Sequence, residues 1–233
     1  YRVLLVDQRG TGRSSPISDG SLSRVGDASE QAEYLSYFRA DSIVNDLECI
    51  RIRLLGTDQK WTILGQSFGG FCGLTYLSQA PEGLAGALFT GGLAPLSGHA
   101  DEVYRATFRR VLKRNDEYFH RYPRDKERWQ TISRLLDEHA LFLPSGTRLT
   151  SRVLSQVGMM LGAHDGAARL HYLLDSAFAQ HGEPPELSYR FVRSIDDALS
   201  FDSHPIYAML HESIYCQGTA SNWSAHRMEA ELA

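Results

Sequence analysis

The chain has 233 residues, of which 42% are hydrophobic and 22% charged, and carries a net charge of −4. That length can bury a sizeable core, and the mild acidity, without a basic run of five residues, excludes a nucleic-acid surface. No apolar stretch approaches the roughly 20 residues of a membrane span, so no membrane partner is expected.

The predicted elements alternate at first. Tyr1 to Val6 read as a strand rich in Val and Leu, as in a parallel sheet covered on both faces. Residues 7 to 16, DQRGTGRSSP, follow as a polar, glycine-rich loop. Its G-x-G lacks a third glycine and opens no helix directly, which argues against a dinucleotide site and leaves no cofactor to expect. Asp7 and Arg9 read as an architectural pair that holds this loop at the strand end. Residues 17 to 39 read as loop. Ala40 to Leu55 predict a helix, with Ile43, Val44, Leu47, Ile50 and Leu54 on one face and Gly56 as its stop. Trp61 to Leu64 predict a strand, Phe71 to Gln79 a buried helix ended before Pro81, and Leu84 to Thr90 another strand. Strand, helix, strand, helix, strand is the pattern of a parallel α/β sheet.

After Pro95 the pattern becomes helical only. Helices are expected over 100–122, 125–141, 149–161, 163–180, 187–199 and 204–215, broken at Pro123, Pro144-Ser145-Gly146, Gly162, Gly182 with Pro184-Pro185, and Pro205. The reading is therefore two domains, an α/β core over 1–94 and a helical cap over 95–233. A first residue other than Met and a last helix that stops abruptly read as an internal fragment.

The chemistry centres on Gly65-Gln66-Ser67-Phe68-Gly69, a G-x-S-x-G between a predicted strand and a predicted helix. That context defines a nucleophile elbow: the sharp turn lifts the Ser67 hydroxyl off the sheet and aims the Phe68 backbone N–H at a developing oxyanion. Side chains at Gly65 or Gly69 are expected to crowd the turn. Serine at the elbow argues against dehalogenases and epoxide hydrolases, which need aspartate there. A serine nucleophile also needs a base. The nine histidines all fall in the helical region, none after a strand, so none reads as the base. Arg105, Arg109 and Arg110 read as a solvated helix face. The three cysteines are widely spaced and form no C-x-x-C pair, so no metal is expected. Cys49 and Cys72 read as small buried core residues, and the set fits a reducing compartment, hence the cytoplasm.

DQRGTGRSS at 7–15, FRADSIVNDLECIR at 38–51, GQSFGGF at 65–71 and LHESIYCQG at 210–218 together resemble the proline iminopeptidases, over nearly the whole chain. The resemblance implies an α/β-hydrolase fold, partial here, with a helical cap after the sixth strand. It implies a serine exopeptidase releasing N-terminal proline from peptides through an acyl-enzyme. It makes Ser67 the nucleophile and the Phe68 N–H the first oxyanion donor. It also makes Glu212, in His211-Glu212-Ser213-Ile214-Tyr215, a binder of the substrate's α-ammonium. Phe68, Tyr207 and Tyr215 then either wall a pocket for the pyrrolidine ring or belong to the core. The family's H-G-G-P-G-like loop and its catalytic aspartate and histidine have no counterpart here, so the chain alone should not turn over. A general esterase or amidase, and a non-catalytic binding module on the same fold, remain the alternatives. Oligomeric state is not legible.

Overall fold

A computed structural model describes residues 2–93, 95, 97–179, 185–199, 201 and 203–232. Tyr1, the expected helix end Gln180, the breaks at Gly182 and Pro184, His181, the terminal Ala233 and Ala94 at the expected domain boundary lie outside them. The chain forms two compact units, Tyr1–Arg105 with Ser203–Ala233, and Ala106–Asp202.

In the first unit, α1 (Asp19–Leu22), α2 (Ala28–Ser36) and α3 (Ala40–Leu55) precede β1 (Trp61–Gln66), α4 (Phe68–Gln79) and β2 (Leu84–Thr90). β1 and β2 pair in parallel, with Gly65 opposite Phe89 and Gln66 opposite Thr90. Gly56 ends α3 at φ +91°, where its N–H reaches the Ile52 carbonyl. Val44 of α3, Tyr76 of α4 and Ala80 just past its end bury with Leu84, against Leu47, Trp61 and Ile63. A polar lattice runs through this layer. Trp61 Nε1 donates to the Tyr76 hydroxyl at 3.0 Å, Tyr76 donates to Glu48, and the buried Arg51 donates to both Glu48 oxygens. Two helices, α3 and α4, are thereby locked to the strand that carries the elbow.

Several expectations fail in this unit. Residues 2–6 form no strand, and Val3 and Leu5 are 80% and 90% exposed. A strand exists only by exchanging hydrogen bonds with a neighbour, and among the described residues this segment has no ladder partner. Residues 17–39 are helical in part. Asp27 caps α2 by accepting from Ser29 and Glu30 N–H while Glu30 returns a bond to the Asp27 N–H, a capping box that the sequence carries openly. Cys49 is exposed, because it lies off the face of α3 that Ile43 and Val44 bury. Leu54 is exposed as well, so the apolar face of α3 is shorter than its periodicity implies.

The first unit resumes after the second. α10 (Pro205–Leu210) runs into a 3-10 turn, Glu212–Tyr215, rather than one helix over 204–215, and α11 (Ser224–Leu232) follows. Ile206 and Leu210 pack on Ile17, Leu22 and Phe38.

α5 (Ala100–Arg121) contributes to both units. The second then holds α6 (Pro123–Glu138), β3 (Leu141–Phe142), β4 (Arg148–Leu149), α7 (Ser151–Ser155), a 3-10 segment Gln156–Gly162, α8 (Gly166–Asp175) and α9 (Tyr189–Ala198). Pro123 sits at the first turn of α6, where its missing N–H costs nothing. β3 and β4 are a short antiparallel hairpin in a region expected to be helical throughout, turned by Pro144-Ser145-Gly146. Two-residue strands are too short to show alternation. Thr150 caps α7, but the helix expected to 161 tightens to 3-10 from Gln156, across Gly158. The core of this unit includes Ile132, Leu149, Leu154, Leu174, Phe191 and Ile195.

Candidate active site

Ser67 stands between β1 and α4 with φ +52° and ψ −119°, a left-handed-side conformation that costs a non-glycine residue about 1–3 kcal/mol. The surroundings hold it there. Its N–H continues the ladder to the Thr90 carbonyl at 3.1 Å, and its carbonyl accepts from Gly70 N–H at 2.8 Å. The approach is too close for side chains. A Cβ at Gly65 would overlap the Gly69 carbonyl, one at Gly70 the Gly92 carbonyl, and one at Gly92 the Ser67 carbonyl. Gly69 is different, since a Cβ there meets open space. The expectation that Gly69 relieves crowding is thus corrected, and the burden falls on Gly65, Gly70 and Gly92.

Phe68 is the first residue of α4, so its N–H is one that a helix leaves without an intrahelical acceptor. Ser67 and Phe68 line a cavity of about 270 Å³ with Phe71, Tyr207, His211 and Tyr215. Two residues named from sequence, Tyr207 and Tyr215, therefore reach the cavity with the elbow. Cys72, buried on α4, is pushed up to about 12 by burial, which makes its thiol inert.

Glu212 is 6% exposed and, among the described residues, is not part of the cavity lining. Its carboxylate accepts from Ser224 N–H at 2.8 Å and Ala225 N–H at 2.9 Å, and the Tyr104 and Ser221 side chains also hydrogen-bond to it. It is a carboxylate seated on the N-terminus of α11. Burial pushes its pKa up, but the donors outweigh burial and hold it below the ordinary value, so it stays ionised. Tyr104 moves the opposite way, raised by burial and by that charge. Unlike Glu212, its motif partners His211 and Tyr215 both line the cavity. Burial lowers the His211 pKa and raises that of Tyr215.

Asp7 and Arg9 hold the loop over 7–16 through separate partners rather than as a pair. Arg9 forks onto both oxygens of Asp46 of α3 at 2.6 Å and donates to the Tyr37 carbonyl at 2.8 Å. Asp7 accepts from Arg13 N–H at 2.9 Å. Gly10, at φ +83°, lies against Phe38 and Ile206, where a Cβ would not fit.

His211 is the residue that motif reading passed over. It does not read as a base, yet it sits in the same short motif as Glu212, and that adjacency is the signal the sequence offers. Among the described residues no cluster of His, Cys, Asp and Glu is arranged to hold a metal ion. No helix of the described residues is long and apolar enough to cross a membrane.

A profile of the alpha/beta hydrolase fold matches residues 1–191. The chain is 47% identical over 232 residues to a proline iminopeptidase of Aeromonas sobria, covering 100% of this chain and 53% of that protein. It is 36% identical over 235 residues to the proline iminopeptidase aneH of Aspergillus aculeatus, covering 97% of this chain and 51% of that protein. The chain thus spans about half the length of the curated relatives it matches. With a strained serine between a parallel strand and a helix, and the family profile running through it, this chain belongs to the alpha/beta hydrolase fold family.

Proposed function

We propose that the protein is a serine aminopeptidase that releases N-terminal proline from peptides. The observation that carries the proposal is Ser67, held at φ +52° in the wall of a ring-lined cavity, in a chain 47% identical to a proline iminopeptidase. Ser67 Oγ attacks the prolyl carbonyl and gives its proton to a base supplied from outside this sequence. The Phe68 N–H receives the oxyanion. Collapse breaks the peptide bond, the leaving amine takes the proton, and water then hydrolyses the prolyl ester. Tyr215 contacts the substrate in the cavity, and Glu212, ionised and one residue from His211, supplies the negative charge that offsets desolvation of the substrate ammonium. Asp7, Arg9 and Gly65 act as scaffold. The substrates are small peptides, and the protein works in the cytoplasm.

The test uses the full-length protein that carries this sequence. Prolyl-p-nitroanilide should be cleaved, N-acetylprolyl-p-nitroanilide should not, and p-nitrophenyl acetate should turn over slowly. Rapid acetate turnover with neither anilide cleaved makes the protein an esterase instead.

Glu212→Gln separates two roles for that carboxylate. The amide NH2 must face a backbone N–H donor at Ser224 or Ala225, so stability should fall by about 2 kcal/mol. KM for prolyl-p-nitroanilide should rise about tenfold or more while acetate turnover in the folded variant is retained. A stability loss with unchanged KM would reduce Glu212 to an anchor for α11.

A further inference from the structure

The cavity beside Ser67 is walled by five rings in unbroken succession. Phe68 tilts against Phe71 at 6.4 Å between centroids, and Phe71 meets Tyr215 edge-on at 5.5 Å. Tyr215 meets His211 at 5.8 Å and 81°, and His211 stacks on Tyr207 at 5.0 Å and 23°. All five line the cavity with the serine. His211 joins α10 to the 3-10 turn, so its ring is braced by one neighbour on each element. Aromatic pairs in these geometries are favourable beyond the area they bury, which fixes the imidazole plane.

The space beside the serine is small. A cavity of about 270 Å³ lies at or below the lower end of the range that holds drug-sized ligands. His211 is also the ring whose charge matters, because it adjoins Glu212. Burial keeps it neutral at neutral pH, so it presents no positive charge to an incoming ammonium.

We propose that His211 is a specificity-determining residue: its braced ring bounds the space open to the acyl side chain held at Ser67, admitting a small N-terminal residue and turning away a larger one. The proposal rests on Ser67 as the nucleophile of an aminopeptidase. It acts by shape, so the ring and not its nitrogens carries the effect.

The experiment compares wild type with His211→Ala, His211→Phe and His211→Trp in the full-length protein. Two readouts are taken: kcat/KM for prolyl-, leucyl- and phenylalanyl-p-nitroanilide, and the rate at which Ser67 is phosphonylated by an ethyl and by a biphenyl-bearing fluorophosphonate. His211→Ala should raise the bulky-to-small ratio about tenfold or more in both readouts, His211→Phe should keep it within about threefold, and His211→Trp should lower it. Ratios that do not move with Ala and Trp, or that move as far with Phe as with Ala, overturn the proposal. Should the Ala variant fail to unfold cooperatively, the Trp variant decides. A wild type that cleaves no prolyl anilide but whose phosphonylation ratio moves as expected refutes the aminopeptidase reading and keeps His211 as the wall. No reaction at Ser67 overturns both.

Discussion

Ser67 is held at φ +52° by backbone alone: a ladder bond to Thr90, a bond from Gly70 N–H, and three glycines packed without room for a Cβ. The glycines are not equivalent, and this makes a sharp contrast. Gly92→Ala would drive a methyl into the Ser67 carbonyl, where no flexible side chain can yield, so stability should drop by about 3 kcal/mol, within the overpacking range. Gly69→Ala meets open space inside α4 and should hold or raise stability by about 0.5–1 kcal/mol. Urea denaturation of both variants checks this, and equal losses would refute the division of labour. The pentapeptide G-x-S-x-G revealed the turn. Gly70 and Gly92 were hidden, because their importance comes from β2 arriving beside the elbow, and only the parallel register brings Gly92 to Ser67.

At the scale of elements, the second unit is stitched by one buried acid. Asp125, fully buried in the first turn of α6, accepts from the Tyr118 hydroxyl of α5 at 2.5 Å, from Arg128 at 2.7 Å, and bonds His171 Nδ1 of α8 at 2.9 Å. Arg128 also pairs with Asp175, and His171 stacks on Tyr122 at 4.1 Å and 8°. Burial pushes the Asp125 pKa up, but these donors outweigh it and leave the carboxyl below the ordinary value. A carboxyl lowered on folding contributes stability that is complete above its unfolded pKa of about 4 and is lost as pH falls through the folded value. Asp125→Asn should therefore cost about 1–3 kcal/mol at pH 7, by placing an amide NH2 among the Tyr118, Arg128 and His171 donors while Arg128 keeps Asp175. The gap to wild type should narrow below about pH 4. Denaturant titrations at pH 7 and pH 3 test it, and a constant gap would remove the ionised acid from the account. The helices this network joins are legible in the sequence but the network is not, since residues 118, 125 and 171 share no motif. The sequence also predicts one helix across 149–161 where Gly158 and a 3-10 segment lie, because apolar spacing alone does not distinguish 3.0 from 3.6 residues per turn over so short a stretch.

At the scale of the whole molecule, a parallel sheet is ordinarily covered on both faces. Here Leu64 of β1 and Leu88 of β2 are 70% and 58% exposed, and Val3 and Leu5 are more so. Apolar area of that kind binds dyes and neighbours. The 233-residue chain produced alone should enhance anilinonaphthalene sulfonate fluorescence and elute as oligomers, and Leu64→Glu with Leu88→Glu should weaken both. A monomeric, dye-silent chain would contradict it.

Local sequence determined the pieces whose cause is local. Alternating apolar runs marked β1, α4 and β2 to within a few residues, Gly56 stopped α3, and the elbow followed from glycines on either side of a serine. Residues 2–6 show the boundary of that power: their composition is right for a strand, but a strand is a relation between two segments, and no partner segment is described. Glu212 and His211 show it again. A carboxylate on a helix N-terminus and a histidine braced between two tyrosines owe their states to α11, α10 and Tyr104 converging on one place. Burial, charge state and cavity shape are sums over groups distant in the chain, so only the tertiary structure decided them.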